Sequence, residues 1–176
     1  MISFIPVLVV VASMQAVQPI IIETPEILME ITPRTSNQMG SFYEARGFPK
    51  PMLDILKKQC FITVGITNKS KDTIWMDLSN WGFFSQGKVI RRDHRGIWQK
   101  RWQKMNMPLN KQSTFRWTLI PETLDYLPGE REGGNIVLPF TQGHFTLKAI
   151  FKTGENKQGK VLSITSDKLF CAEDAQ

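Results

Sequence analysis

In the stretch CFITVGITNKSKDTIWMDLSNW, residues 60–81, apolar side chains recur at every second position. One strand face is therefore expected to carry Cys60, Ile62, Val64 and Ile66. After a turn at NKSKD, a second strand is expected to turn Ile74, Met76 and Leu78 the same way. A period of two is typical of half-buried β-strands, so this stretch predicts two strands joined by a turn.

The same pattern continues towards the C-terminus. A hairpin loop at 85–87 leads into residues 88–90, and further strands are predicted over 114–120, 134–140, 144–153 and 160–171. In the first of these, Phe115, Trp117 and Leu119 are expected on one face. About seven strands at this spacing, with short helical insertions, predict a mainly all-β sandwich folded as one domain.

The N-terminal 22 residues contain no charged side chain. Residues 2–11 have the length of a signal-peptide hydrophobic region, and small residues follow, so we favour an export signal cleaved after Ser13 or Ala16. Two alternatives stay open. Twenty-two uncharged residues can just cross a bilayer as an uncleaved membrane anchor, or the run forms a buried strand or helix.

Residues 23–40 contain Pro25 and Pro33 and are dense in Thr, Ser and Asn, which predicts a linker. The folded domain is then expected to span 41–176, with an N-terminal helical elaboration. That elaboration consists of one helical turn at 41–47 and a short helix over 52–59, which has Pro51 at its start.

The chain has two cysteines, Cys60 at the start of the first convincing strand and Cys171 at the end of the last. In an exported chain this arrangement predicts a single disulfide joining the first and last strands. The alternative is a pair of buried thiols.

Residues 88–104, KVIRRDHRGIWQKRWQK, carry seven cations and one acid, which equals the net charge of +6 of the whole chain. We call them the basic segment. Asp93 is a candidate N-cap for a helix over 94–105, in which Trp98 and Trp102 stack one turn apart and fix the helix to the sandwich. The candidate binding residues are Arg91, Arg92, Arg95, Lys100, Arg101 and Lys104.

A cationic surface of this kind predicts an anionic partner, such as lipid head groups, a glycan or an acidic protein surface. The plainer interpretation is a solvated face with local ion pairing, which is what charge runs usually are. Nucleic acid is not expected, since no nucleic-acid-binding motif is present.

A second candidate contact is the long acidic loop 121–135, with Leu124 and Tyr126 as anchors. Alternatively, that loop covers the end of the sandwich and buries Tyr126 and Leu127.

No sequence motif indicates catalysis or a cofactor. His94, His144, Met105 and Met107 are possible soft metal ligands, but their spacing specifies no site, so no metal is expected. No hydrolase signature occurs either, and we expect no cofactor and no enzyme.

The stretch FITVGITNKSKDTIWMDLSNWGFFSQGKVI, residues 61–90, resembles the opening of exported bacterial immunoglobulin-like accessory domains. These domains have a strand, an N-x-S turn, a second strand and a G-x-x hairpin. Residues 127–130, LPGE, are similar to their later L-x-P-G-E turn. The resemblance implies an immunoglobulin-like β-sandwich that binds, adapts or inhibits rather than catalyses. The Cys60–Cys171 pair departs from the internal disulfide of the immunoglobulin pattern.

Taken together, these features predict a non-catalytic binding or accessory module of the cell envelope, periplasmic or secreted, with a protein or anionic partner. The main alternative is a structural subunit of an envelope complex, anchored in the membrane through residues 1–22.

Overall fold

The computed structural model describes residues 17–174, in which nine strands and four α-helices form. The strands, β1 to β9, are Ile20–Glu23, Ile27–Arg34, Gln59–Asn68, Ile74–Ser85, Lys88–Val89, Thr123–Tyr126, Arg131–Pro139, His144–Thr153 and Val161–Phe170. The helices, α1 to α4, are Ser36–Glu44, Lys50–Leu56, Arg95–Lys104 and Leu109–Thr118. Within this part of the chain, no helix is long and apolar enough to cross a bilayer.

The strands form two antiparallel sheets. Sheet A has the order β1-β2-β3-β7, and sheet B has the order β5-β4-β8-β9, with β6 also paired to β4. The mainly β prediction is confirmed, with nine strands instead of about seven. Strand β6 pairs with β4 over residues 74–77, whereas β5 pairs with Phe84 and Ser85. The connection between β5 and β6 therefore leaves and rejoins one edge of sheet B, and it contains α3 and α4.

Apolar side chains from both sheets form the main core. The alternation predicted for residues 60–81 is confirmed, because this core contains Cys60, Ile62, Val64, Ile66, Ile74, Met76 and Leu78. Phe151 of β8 and Tyr126 of β6 are also fully buried in it. Burying a large apolar side chain stabilises the folded state by roughly 1.5–3 kcal/mol, so this core dominates the stability.

A second core lies under the helices. Phe61 of β3 and Val137 of β7 are buried with side chains from all four helices. Alternate strand residues point to opposite faces of a sheet. Phe61 and Val137 therefore lie on the face of sheet A opposite to the one that carries Cys60 and Leu138. The helices therefore cover part of the outer face of sheet A. Tyr43 of α1 lies in this core, and burial raises its pKa to about 12 despite a 2.8 Å hydrogen bond with Thr118.

The linker prediction for residues 23–40 is wrong. Strand β2 lies between β1 and β3, and its Ile27, Met29 and Ile31 are fully buried. Pro33 is tolerated because β1 pairs only with residues 28–31, so none of the described strands lies on its second side. The Thr, Ser and Asn that indicated a linker begin α1 instead, where the Thr35 hydroxyl accepts a hydrogen bond from the Gln38 N–H at 3.2 Å.

The folded body thus begins well before residue 41. Strand β1 occupies Ile20–Glu23, so the leader predicted for 1–22 is wrong at its C-terminal end. Both predicted cleavage sites, after Ser13 and after Ala16, lie outside the described residues. The helical elaboration is confirmed, although α1 starts at Ser36 and α2 ends at Leu56.

The strand predicted for 114–120 is also wrong, because residues 114–118 belong to α4 and Leu119 is its C-cap. Phe115 and Leu119 are buried, while Trp117 is 83% exposed. In a helix, residues two positions apart point to different sides, which separates the exposed Trp117 from the buried Phe115. The pattern F-x-W-x-L fits a strand face equally well, which is why the sequence misled.

The predicted pairing of Cys60 with Cys171 is confirmed. Their sulfur atoms are 2.15 Å apart and their Cα atoms 5.2 Å apart. The bridge does not join the first and last strands, however. Cys60 lies in β3, an inner strand of sheet A, and Cys171 directly follows β9 of sheet B. The bridge therefore ties the two sheets together.

Candidate functional site

Helices α3 and α4 form an antiparallel hairpin that contains most of the basic segment. Helix α3 begins after His94, whose Nδ1 accepts a hydrogen bond from the Gly96 N–H at 3.1 Å. The N-cap was predicted at Asp93, one residue before its actual position at His94. Pro108 precedes the first residue of α4, where its fixed φ and missing N–H cost nothing.

An aromatic cluster fixes this hairpin to the body. Trp98 and Trp102 are each 1% exposed, and their ring centroids are 5.3 Å apart. Phe115 of α4 contacts both rings, at 5.2 and 5.5 Å. The predicted stacking of the two tryptophans is confirmed, and such pairs contribute about 0.5–1.5 kcal/mol beyond simple burial.

Glu122 organises the start of α3. Its carboxylate accepts hydrogen bonds from both terminal nitrogens of Arg92, one at 3.1 Å, and from the Arg95 N–H at 2.9 Å. Burial raises the pKa of Glu122, but the bonds from Arg92 and Arg95 outweigh it and hold the pKa below the ordinary value. Arg95 also donates from Nη2 to the Leu119 carbonyl oxygen. Arg92 and Arg95 therefore hold the hairpin to the chain that follows it.

Arg101 is likewise used internally. It donates to Asp93 at 2.8 Å, and its guanidinium lies 4.3 Å from the centroid of the Trp98 ring. Three of the six candidate binding cations, Arg92, Arg95 and Arg101, thus make intramolecular contacts. Arg92 and Arg101 thus agree with local ion pairing, whereas the Arg95 side chain bonds a backbone carbonyl oxygen.

The other three candidates differ. Arg91, Lys100 and Lys104 are exposed and form no ion pair within residues 17–174. Each remains available to an anion. Residues 88–118 contain nine basic side chains and one acidic side chain, so the hairpin extends the positive region beyond the basic segment.

Helix α4 adds residues that the sequence reasoning missed. Trp117 is 83% and Leu109 is 75% exposed, and Arg116 is exposed between them. A strand over 114–120 predicts Trp117 facing inward, which hides the exposed positions of Arg116 and Trp117. The available signal was Pro108 followed by a polar run, which favours a helix start.

The prediction that Tyr126 anchors a partner from loop 121–135 is wrong. The side chain is completely buried, and its hydroxyl donates to the Met76 sulfur at 3.7 Å. Burial raises its pKa above the ordinary value. The segment is a loop only in part, since it contains β6 and the start of β7. The alternative prediction, that this segment buries Tyr126 and Leu127, is correct for Tyr126, whereas Leu127 is half exposed.

The possible metal ligands are used elsewhere. His94 caps α3, and His144 packs its ring 5.8 Å from that of Phe170. Met105 and Met107 are half-buried against the helical core. Among residues 17–174, no group of three or more His, Cys, Asp or Glu side chains is close enough to share a metal ion.

Comparison with protein-family models finds no match, and comparison with curated protein sequences finds none either. Among solved structures, the yjhA protein from Bacillus subtilis is similar at a TM-score of 0.36 and 15% identity. The similarity covers 53% of this chain and 56% of that one, so the chain spans about half the length of that protein. A likeness this low carries no argument about function.

Replacing Glu122 by glutamine is expected to lower the free energy of unfolding by about 1–2 kcal/mol at pH 7, a figure reduced for its partial exposure. A lowered pKa means that the carboxylate stabilises the protein above its unfolded pKa of about 4.3 and that this is lost on acidification. Urea unfolding between pH 3 and 7 should therefore show the two proteins converging at low pH. The exposed Glu44→Gln is the control, and a constant difference across this pH range would contradict the assignment.

Proposed function

We propose that this protein is a non-catalytic binding or accessory module exported to the cell envelope, and that its α3–α4 hairpin contacts an anionic partner. The observation that carries the proposal is the exposure of Arg91, Lys100 and Lys104 without an ion pair within residues 17–174, on a hairpin that also exposes Trp117. Exposed tryptophan is uncommon on a surface that serves only solvation, and it is frequent in binding sites.

The internal ion pairs support this proposal, because they separate cations that hold the hairpin from cations that are free. Arg92 and Arg101, paired with Glu122 and Asp93, keep the helices in place, so the free cations project from a rigid support. Because the rest of the chain has 13 basic and 15 acidic residues, the hairpin is the region that attracts anions. Electrostatic steering by such a region speeds association and is weakened by salt.

Two features support export and an immunoglobulin-like fold. The Cys60–Cys171 bridge is typical of an oxidising compartment. The order β2-β3-β7 in one sheet and β4-β8-β9 in the other corresponds to strands A-B-E and C-F-G of immunoglobulin-like sandwiches. Strands β1, β5 and β6 and the four helices are then additions to that arrangement.

The test measures how much protein stays on isolated cell envelopes as NaCl is raised. Changing Arg91, Lys100 and Lys104 together to glutamine should reduce the bound fraction at least about tenfold at low salt, and the wild type should detach between about 0.05 and 0.5 M NaCl. The matched control changes Lys148, Lys152 and Lys168, three exposed lysines of β8 and β9, and should bind as the wild type does.

Equal loss in both triple variants would contradict a specific role for the hairpin. Retention of the wild type and of both variants after washing at high salt would favour the membrane-anchored subunit instead. The intact mass of the bound protein is expected to lack 13 to 16 residues and to show two thiols only after reduction. A full-length mass in the membrane fraction would contradict cleavage.

A further inference from the structure

A cleft of about 110 Å³ runs between α3 and α4. Buried aromatic rings line it, contributed by Trp98, Trp102 and Phe115. The amide side chains of Gln99 and Gln103 line the α3 side. The cleft thus combines an aromatic surface with polar walls, as small-molecule sites commonly do.

The two ends of the cleft differ in chemistry. Because the helices are antiparallel, Arg95 at the start of α3 lies beside the end of α4, where it bonds the Leu119 carbonyl oxygen. Arg116 lines the same end, whereas Leu109 lines the opposite end near the inter-helix loop. Among the described residues that line the cleft there is no Asp or Glu. One end is therefore cationic and the other apolar.

Buried donors without acceptors surround this cleft. The Arg95 Nε–H and the indole N–H groups of Trp98 and Trp102 are buried, and no residue among 17–174 accepts a hydrogen bond from them. Nearly all buried N–H groups in folded proteins are bonded, so three such groups among residues lining one cleft call for an explanation. Guanidinium groups only donate, so the Arg95 Nε–H at the cationic end can bond only an acceptor, such as an oxyanion oxygen.

The charges indicate the same kind of molecule. Burial and the positive charge of Arg116 both lower the pKa of Arg95. An anion placed between the two guanidinium groups would relieve this repulsion and accept hydrogen bonds from both, as carboxylates and phosphates do.

We propose that the α3–α4 cleft binds a small amphiphilic oxyanion, with its carboxylate or phosphate at Arg95 and Arg116 and its apolar chain over the aromatic rings towards Leu109. From Arg95 to Gln103 the helix rises about 12 Å, which suits a chain of about eight carbons. This proposal does not depend on the one above, since Arg91, Lys100 and Lys104 do not line the cleft.

The experiment titrates the purified protein with octanoate, octyl phosphate and neutral 1-octanol, using calorimetry and tryptophan fluorescence. Saturable binding of one or both anions is expected, with octanol at least about tenfold weaker. Preference between octanoate and octyl phosphate distinguishes a fatty carboxylate from a lipid-type phosphate. Octanol binding as tightly as the anions, or no saturable binding of either anion, would overturn the proposal.

Variants locate the site. Ser113→Phe places a ring in the cleft from an exposed helix position and should abolish binding, whereas Ser113→Ala should not. Arg116→Gln should weaken anion binding about tenfold. Lys100→Gln removes an equal charge from the same hairpin outside the cleft and should leave the affinity unchanged. Undiminished binding in a folded Ser113→Phe protein would exclude this cleft. Equal weakening by Lys100→Gln and Arg116→Gln would indicate the hairpin's general positive charge instead.

Discussion

Replacing Ile31 by aspartate is expected to lower the free energy of unfolding by more than about 4 kcal/mol. Ile31 is fully buried in β2, opposite Val64 of β3 and Ile20 of β1. An unpaired buried charge costs about 3–5 kcal/mol, and the lost apolar burial adds to it. Small domains are stable by only about 5–15 kcal/mol, so the variant should be largely unfolded at 37 °C. Circular dichroism and urea unfolding measure this directly.

Thr32→Asp is the matched control. Thr32 is adjacent in sequence but points to the outer side of sheet A, where it is half-buried. Its replacement should change the free energy of unfolding by less than about 1 kcal/mol. If residues 23–40 were a linker, both variants would be equally harmless. Equal unfolding temperatures for the two would therefore contradict the placement of β2 inside the sheet.

Removing the disulfide is expected to lower the free energy of unfolding by about 4–5 kcal/mol. The bridge joins residues 111 apart, so the unfolded chain gains much conformational freedom when it is absent. The measurement compares urea unfolding of the oxidised wild type with that of Cys60→Ala/Cys171→Ala. The m-value should rise as well, because the unfolded state becomes more extended.

Reduced wild type is the control that separates the two contributions. Both cysteines are buried, so alanine also leaves small cavities, whereas reduction removes only the covalent link. The reduced protein should account for most of the loss. An oxidised protein no more stable than its reduced form would contradict a stabilising role for the bridge.

The alternation in residues 60–81 predicted the strands well because each of these strands buries one face between the sheets. Cys60 and Cys171 were predictable as a pair since the chain has only two cysteines. The stacking of Trp98 on Trp102 followed from their spacing of four in a helix. In each case a local or compositional rule was sufficient.

The failures occurred where tertiary contacts determine the outcome. Pro33 indicates a linker as long as its neighbours are unknown. The structure shows that the pairing of β1 with β2 stops at Ile31 and does not reach Pro33. The pattern of Phe115, Trp117 and Leu119 fits a strand or a helix, and packing of Phe115 against Tyr43 of α1 and the tryptophans of α3 selects the helix. Tyr126 is an anchor or a core residue depending on whether its segment pairs with β4, which it does.

The candidate site shows the same division. Its position in the chain was evident from the charge of residues 88–104, but six cations of equal appearance separate into two groups in the structure. Arg92, Arg95 and Arg101 contact Glu122, Leu119 and Asp93, while Arg91, Lys100 and Lys104 do not. Glu122 lies 30 residues from Arg92 along the chain, so no local pattern links them.

By itself, the sequence determined the mainly β architecture, the single disulfide and the location of the positive charge, because periodicity, cysteine number and charge are properties of the chain. Only the tertiary structure decided that β2 is central to sheet A, that Tyr126 is buried and that Trp117 is exposed. The cleft between α3 and α4 likewise exists only in the folded protein. These outcomes depend on which distant segments pack together, and that information is spread over the whole chain rather than written in any one stretch.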